Sequence, residues 1–282
     1  MSRNETEATL TMQPIFLAPT TLPHSAPLDY IDAAKSGGYD GVGLRVHPSP
    51  GLPYAPLTGD RALEQAVRAR LDATGLPVLD LYSFYLRPDT DVTTFRPALE
   101  YGASLGARYA VVMGDDPDWA RLTDNCARIC ESAAGLGLVC TLEYAVIRPL
   151  ATLAQTVRLI AAVGAPNLVA CLDPLNHYRA QGTAAEVRAL PGRLFPYAQI
   201  SDGVRSPDDA TAELGRFSPN QRRMLGAGDV PVAELLHALP AGIPLSVELP
   251  QLPGRACDAP TWARMTADNV RDWLARHPRP GA

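Results

Sequence analysis

Short apolar segments, rich in β-branched and aromatic residues, alternate along the whole chain with longer amphipathic segments. Short apolar runs bounded by turn-forming residues predict strands, and the longer segments have the spacing of helices. Eight strands are predicted, at Ile15–Leu17, Gly41–Val46, Val78–Leu86, Tyr109–Met113, Leu138–Leu142, Leu168–Leu172, Tyr197–Ile200 and Leu245–Val247. Eight helices are predicted between and after them, at Leu28–Lys35, Arg61–Thr74, Phe95–Leu105, Asp118–Ala134, Leu150–Val163, Ala184–Leu190, Val232–Leu239 and Thr261–Arg276.

This alternation predicts the α/β class. Eight strand-and-helix units in 282 residues fit a single closed (β/α)8 TIM barrel, and a doubly wound open sheet is the alternative. No linker, repeat or low-complexity block marks a second domain. We therefore predict a flexible N-terminal extension at residues 1–12, one TIM barrel domain at residues 13–276 and a C-terminal tail at residues 277–282.

Composition argues against several classes of function. No apolar run approaches the ~20 residues that cross a bilayer, so no membrane partner is predicted. The net charge of −5 offers no basic surface for nucleic acid. The first dozen residues lack the apolar region of a secretion signal, and the five cysteines have no CxxC spacing, so we predict a cytoplasmic protein without a disulfide framework. A small-molecule substrate is expected, and a homo-oligomer is left open.

Polar side chains follow four successive strands. Glu143 ends strand five, Asp173 follows strand six, Gln199 lies in strand seven and Glu248 follows strand eight. The carboxyl ends of barrel strands meet at one rim, where carboxylates that lie together require a compensating cation. Carboxylate and amide oxygens suit Mg²⁺ or Mn²⁺. Taken singly, each has a structural alternative: a salt bridge within the barrel for either Glu, a turn cap for Asp173 and a backbone partner for Gln199.

The segments TLEY, CLDPLNH, AQISD, LGAGDVP and LSVELP make the chain resemble the xylose-isomerase-like barrels of sugar isomerases and epimerases, roughly from Pro14 to Leu274. The resemblance implies that Glu143, Asp173, Gln199 and Glu248 bind one divalent ion, with Mn²⁺ or Mg²⁺ preferred and Co²⁺ or Zn²⁺ as alternatives. Most members have His at the third position, and those similar to hydroxypyruvate isomerase have Gln.

The resemblance also implies a reaction. Glu143 and Glu248 are expected to be the catalytic acid and base as well as metal ligands, acting on a small sugar or polyhydroxy carbonyl compound through an enediolate. The expected activity is that of a metal-dependent isomerase or epimerase. A metal-dependent dehydratase of a cyclic hydroxyketone, or a sugar-binding barrel without catalysis, are the alternatives.

Loop residues near the same rim are candidates for substrate binding. The family carries a His three residues after the Asp of strand six, whereas here His177 is four residues on, after Asn176. His47 and Tyr85 end strands two and three, and arginines follow strand seven. The substrate-binding candidates are His177, His47, Arg205, Arg222 and Tyr85. Each could instead be an ordinary loop residue. Similarly, Asp115, Asp116 and Asp118 around Pro117 are expected to cap a helix with Pro at its first position.

Overall fold

A computed structural model describes residues 13–48, 57–205, 221–251 and 257–279. Eight strands within these ranges form one parallel sheet: β1 (Ile15–Leu17), β2 (Gly41–Arg45), β3 (Val78–Leu86), β4 (Tyr109–Gly114), β5 (Val139–Glu143), β6 (Leu168–Cys171), β7 (Ala198–Ile200) and β8 (Leu245–Val247). The helices are α1 (Pro27–Gly37), α2 (Arg61–Thr74), α3 (Arg96–Ser104), α4 (Trp119–Ala134), α5 (Leu153–Val163), α6 (Pro174–Arg179), α7 (Ala184–Arg188), α8 (Val232–Ala238) and α9 (Ala259–Arg276). Two single 3₁₀ turns, Val92–Phe95 and Gly192–Leu194, complete the elements of the described ranges.

The sheet curls into a nearly closed barrel. The strand order is β6-β5-β4-β3-β2-β1-β8-β7, so β6 and β7 are the two ends of the sheet. These two ends meet where Leu172 pairs with Ala198 in a parallel bridge. The backbone N–H of Gln199 donates to the Leu172 carbonyl there, at 3.0 Å. The predicted single (β/α)8 barrel is confirmed, and the open sheet is excluded.

Local capping explains most helix boundaries. The Asp60 carboxylate accepts from two amides at the start of α2, and Thr152 and Gln155 form a reciprocal capping box on α5. Asp118 caps α4, as predicted, but Pro117 lies before the cap and not at the first helical position.

The prediction was incomplete after β6, where one helix at Ala184–Leu190 was expected. The Asp173 side chain caps a short helix that begins at once with Pro174. That helix ends before Gln181, whose φ of 61° is left-handed, and a second helix then begins behind the Thr183 cap.

The first and last helices pack closely and join the ends of the described chain. A Cβ on Gly37 of α1 would lie 2.8 Å from Cβ of Ala263 on α9, so only glycine permits this approach. The hydroxyls of Tyr39 and Thr266 are 2.7 Å apart beside it. The described start of the predicted tail also packs, since His277 stacks on Trp273 at 4.1 Å. The predicted extension at residues 1–12 lies outside the described residues. None of the described helices is both long and apolar enough for a membrane span.

The barrel interior is more polar than the branched apolar core typical of this architecture. Asp80 of β3 is fully buried, and neither of its oxygens has a well-aligned hydrogen-bond partner within the described chain. A Cβ on Gly43 would lie 2.2 Å from Asp80 Oδ1, so the carboxyl occupies space that a neighbouring side chain would fill. Burial raises the pKa of Asp80 to about 7, although the nearby Tyr197 hydroxyl lowers it in part.

This buried carboxyl predicts a pH-dependent loss of stability. Because the pKa of Asp80 is higher in the folded protein than in the unfolded chain, the folded state retains a proton that the unfolded chain releases, and the free energy of unfolding falls as pH rises towards 7. Asp80→Asn lacks this titration. Relative to the parent, its free energy of unfolding should rise between about pH 4 and pH 8, by about 1.4 kcal/mol for each unit of pKa displacement.

Urea unfolding of both proteins across this pH range measures the difference. The matched control is Asp89→Asn, at an exposed position in the loop after β3. A difference between Asp80→Asn and the parent that does not change with pH would contradict the interpretation.

Candidate functional site

Three carboxylates converge at the C-terminal rim of the barrel. Glu143 is the last residue of β5, Asp173 precedes α6 and Glu248 directly follows β8. The three residues are 6%, 1% and 5% exposed, respectively, and each offers an oxygen within 4.8 Å of the others. The sequence prediction that these acids meet is therefore correct in geometry. Asp173 is fixed by the Leu175 and Asn176 amides, which donate to its Oδ1 at 2.8 and 3.2 Å.

Gln199 lies beside this triad. Its Nε2 donates to Oε2 of Glu143 at 2.8 Å and to the Tyr82 hydroxyl at 2.7 Å. Oε1 of Gln199 and Oε2 of Glu248 are buried and have no hydrogen-bond partner among the residues that the structure describes. Orphaned buried acceptors are costly, and a cation is a partner that satisfies carboxylate and amide oxygens together. The donor set therefore fits a divalent metal ion.

The electrostatics of the triad also favour a cation. Burial raises the pKa of Glu143 to about 8, and the charges of Glu248 and Asp173 add to the effect. Burial likewise raises the pKa of Glu248, against the opposing influence of Arg222. Glu143 would therefore hold a proton near neutral pH unless positive charge is added, because closely packed carboxylates raise one another's pKa.

Arg222 supplies part of that charge. Its side chain is 6% exposed, and its Nη2 lies 2.6 Å from Asp173 Oδ2 and 3.4 Å from Glu248 Oε1. Nη1 donates to the Ser201 hydroxyl at 2.7 Å. A short antiparallel bridge between Asp202 and Arg223 holds the segment, with backbone hydrogen bonds of 3.0 and 2.9 Å. The predicted substrate-binding Arg222 thus lies in direct contact with the acids.

Asp202, a further polar residue just after β7, has a structural role. Its carboxylate accepts from the amides of Gly226, Gly228 and Val230 at 2.9, 3.0 and 3.2 Å. The glycine-rich segment at residues 225–231 therefore wraps around a buried carboxylate. Asp202 organises the loop that delivers Arg222.

Asn176 is a site residue that the sequence interpretation passed over in favour of His177. Its Nδ2 lies 3.4 Å from both Glu143 Oε1 and Asp173 Oδ2. The sequence did contain a signal for Asn176, because this residue stands three positions after Asp173. That is the position at which the family carries its His.

His177 lies on another side of α6. Its Nδ1 is 2.8 Å from the Tyr144 hydroxyl, and its Nε2 is 3.1 Å from the Thr183 carbonyl. Gly182 is packed against the ring, since a Cβ there would lie 2.1 Å from Cε1. His177 therefore fastens the turn between α6 and α7 and does not face the pocket above the acids.

The other candidates divide between the pocket and its surroundings. Tyr85 lines the pocket. His47 instead packs on Phe84 and Phe95, with ring centroids 5.9 and 4.9 Å away. The Arg205 guanidinium lies 4.0 Å from the centre of the Tyr178 ring, outside the pocket lining. The structure brings neither His47 nor Arg205 to the acids.

The pocket itself opens directly above the triad. Tyrosines, small residues and several arginines form its wall: Thr20, Arg45, Tyr82, Ser83, Tyr85, Met113, Ala145, Ile147, Arg148, Asn176, Arg179 and Arg222 line it together with Glu143 and Glu248. Arg148 and Arg179 carried no sequence signal, because the first lies in the loop after β5 and the second ends α6. Arg45 stands at the end of β2, where a polar residue after a buried strand could have been detected.

Comparisons with known proteins agree with this architecture. Residues 31–276 match the family described as xylose isomerase-like TIM barrel. No curated protein matches the sequence. Solved structures with the same fold include the IOLI protein with a bound zinc atom, at 16% identity, a TM-score of 0.77 and coverage of 94% of this chain and 99% of that chain.

Two further structures are similar at the level of the fold. D-psicose 3-epimerase with D-tagatose, from Clostridium cellulolyticum H10, is 13% identical with a TM-score of 0.70, covering 95% of this chain and 100% of its own. The probable 3-DHS dehydratase AsbF from Bacillus anthracis is 18% identical with a TM-score of 0.69, covering 91% and 98%. The family match spans most of the chain, and the barrel and its rim of acids are consistent with it. The chain belongs to the xylose isomerase-like TIM barrel family.

Proposed function

We propose that the protein is a divalent-metal-dependent isomerase or epimerase of a small polyhydroxy carbonyl compound, acting through an enediolate. The observation that carries this proposal is the convergence of Glu143, Asp173 and Glu248, all buried, beneath an open pocket. Membership of the family and the similarity of the fold to an epimerase support it. We further propose that its partner is a small molecule and not nucleic acid, and that it acts in the cytoplasm.

Glu143, Asp173, Gln199 and Glu248 would hold the ion. Their donors are all oxygens, which favours Mn²⁺ or Mg²⁺, and the zinc atom in a protein of this fold keeps Zn²⁺ and Co²⁺ as alternatives. When bound, a divalent ion supplies a Lewis acid that polarises a carbonyl and stabilises negative charge on the neighbouring oxygen.

Glu143 and Glu248 are proposed to move the proton. They stand on β5 and β8, at separate points of the rim, so a substrate carbon between them can lose a proton to one and regain it from the other. Tyr82 and Gln199 fix the position of the Glu143 carboxylate through a chain of two hydrogen bonds. Asn176 donates to Glu143 from the other side and limits its rotation.

The dehydratase remains a second candidate because the fold is also that of a probable dehydratase. Both reactions begin with removal of a proton next to a carbonyl, and they differ in whether a hydroxyl then leaves. A sugar-binding barrel without catalysis would use the same pocket but would exchange no proton.

We predict that the chain binds one Mn²⁺ and that Gln199→Ala lowers its affinity at least tenfold, which is about 1.4 kcal/mol, because water replaces a positioned donor. Gln199→His should retain the site and shift the preference towards Zn²⁺, since imidazole is a softer ligand. Calorimetric titration with Mn²⁺ and Zn²⁺ measures both effects. Unchanged Mn²⁺ affinity in Gln199→Ala would remove Gln199 from the ligand set.

A second prediction concerns Arg222, whose guanidinium competes with an ion for the oxygens of Asp173 and Glu248. Arg222→Gln should bind Mn²⁺ more tightly at about pH 8, by several-fold, and should be less stable without the metal because the acids lose their counter-charge. The control is Arg223→Gln, an exposed neighbour that donates to the Ala227 carbonyl. Mn²⁺ titration and thermal midpoints with and without Mn²⁺ decide the matter, and weaker metal binding in Arg222→Gln would contradict the competition.

The third prediction tests catalysis. With Mn²⁺ and a panel of ketoses and hydroxyketones in D₂O, the parent should exchange the hydrogen next to the carbonyl, which proton NMR records as signal loss. Glu143→Gln and Glu248→Gln should each lower this exchange far more than tenfold, because each loses a proton-transfer group, whereas Glu131→Gln on the exposed face of α4 should not. A loss of less than tenfold, about 1.4 kcal/mol of barrier, in either variant would refute the paired-glutamate mechanism. Loss of water from the substrate would identify the dehydratase.

A further inference from the structure

Four arginine side chains surround the pocket above the acids. They come from four separate segments, which are the end of β2, the loop after β5, the end of α6 and the loop after β7. They are Arg45, Arg148, Arg179 and Arg222. Each is buried or largely buried, with Arg148 the most accessible at 17% side-chain exposure. Arginines on four different segments that all face one small pocket indicate selection for a negatively charged occupant and not a solvated surface.

Arg148 is held as a rigid platform. Its guanidinium lies 4.8 Å from the centre of the Tyr85 ring, and its Nη1 is 3.1 Å from Asp115 Oδ1. Its Nε is buried, and the described part of the chain offers it no hydrogen-bond acceptor. A buried guanidinium nitrogen without an acceptor is costly, and an acceptor on a ligand in the pocket would satisfy it.

Positive charge accumulates around this platform. Burial raises the pKa of the Tyr85 hydroxyl; the charges of Arg148 and Arg45 oppose this rise, and those of Glu143 and Glu248 add to it. Burial first and the nearby Arg222 second lower the pKa of Arg179 to about 10, and the Asp173 carboxylate opposes both effects. Arg148 and Arg45 therefore both lie near Tyr85, and Arg222 lies near Arg179.

Among the described residues, guanidinium groups outnumber the carboxylates at the base of the pocket. Four guanidinium groups face Glu143, Asp173 and Glu248 at the rim and Asp115, which Arg148 shares with Arg87. A divalent ion on the triad would add two further positive charges beside these guanidinium groups, and added charge is costly at a buried site unless an anion accompanies it. A neutral sugar brings no compensating charge. A monocarboxylate brings one negative charge, and a second develops on the substrate oxygens when its proton is removed.

We propose that the substrate is a hydroxy- or keto-carboxylate whose carboxylate is bound by Arg148 and Arg45 beside Tyr85. This inference rests on the proposed function for the reacting end of the substrate, which lies over the acids. Arg148 presents a planar fork of donors, the geometry that matches a carboxylate. The arginines that line the pocket would thus favour acids over neutral sugars of the same length.

Calorimetry with matched probes tests the inference. Hydroxypyruvate and dihydroxyacetone differ only in a carboxylate in place of a hydroxymethyl group, and glucuronate and glucose differ in the same way. Each acid should bind Mn²⁺-loaded protein at least tenfold more tightly than its neutral partner. Arg148→Gln should abolish most of this preference and Arg148→Lys should keep part of it, whereas Arg188→Gln, which removes an exposed arginine of α7, should keep all of it.

The possible outcomes separate the carboxylate inference from the proposed function. Equal binding of acid and neutral partner, no binding of either acid, or an unchanged preference in folded Arg148→Gln overturns the carboxylate inference. Tighter binding of dihydroxyacetone phosphate than of both acids overturns it in favour of a phosphate. An acid preference that depends on Arg148 in protein that binds no Mn²⁺ supports the carboxylate site and refutes the metal-dependent function. Turnover of neutral sugars alone supports that function and refutes the carboxylate site.

Discussion

The mutual repulsion of three buried carboxylates is the constraint on which the rest of the site depends. Glu143, Asp173 and Glu248 lie within 4.8 Å of one another at a rim that water scarcely reaches. In that setting the acids either take up protons or gather positive charge, and Arg222 supplies only part of the charge that three carboxylates require. A divalent ion is the compensation proposed here. The four arginines that line the pocket above the triad follow the same rule in reverse, because buried positive charge favours an anionic ligand.

The loop after β7 shows how structural and functional residues are coupled. Asp202 does not touch the acids, yet its carboxylate collects three loop amides and so fixes the backbone from which Arg222 extends. Gly228 permits this wrapping, because a Cβ there would lie 2.2 Å from Asp202 Oδ1. A buried carboxylate that accepts several amide hydrogens is strongly held. The position of Arg222 thus depends on Asp202, a residue that does not itself touch the acids.

Polar side chains inside the barrel lower the stability of the fold but hold the side chains of the site in fixed orientations. Tyr82 and Gln199 form a hydrogen-bonded chain that ends on Glu143, and the hydroxyls of Thr141 and Tyr197 lie 3.1 Å apart within the barrel. An apolar interior would pack without the need to satisfy buried hydrogen-bonding groups, but it could not hold the side chains of the site in place. Asp80 is the extreme member of this group, since its carboxyl is buried with little to compensate it. The apolar contacts between the strands and the surrounding helices offset such costs.

The sequence by itself determined the barrel and the rim of acids. Strand periodicity identified all eight strands, and because parallel strands end at one rim whatever their loops do, Glu143, Asp173 and Glu248 were bound to meet. Loop side chains obey no such rule. Asn176 and His177 are neighbours in sequence, but a helix turns about 100° per residue, so one faces the acids and the other fastens a turn. Only the tertiary structure could turn His47 and Arg205 away and bring Arg148 and Arg179 to the pocket, because the direction of each depends on contacts with residues distant in sequence.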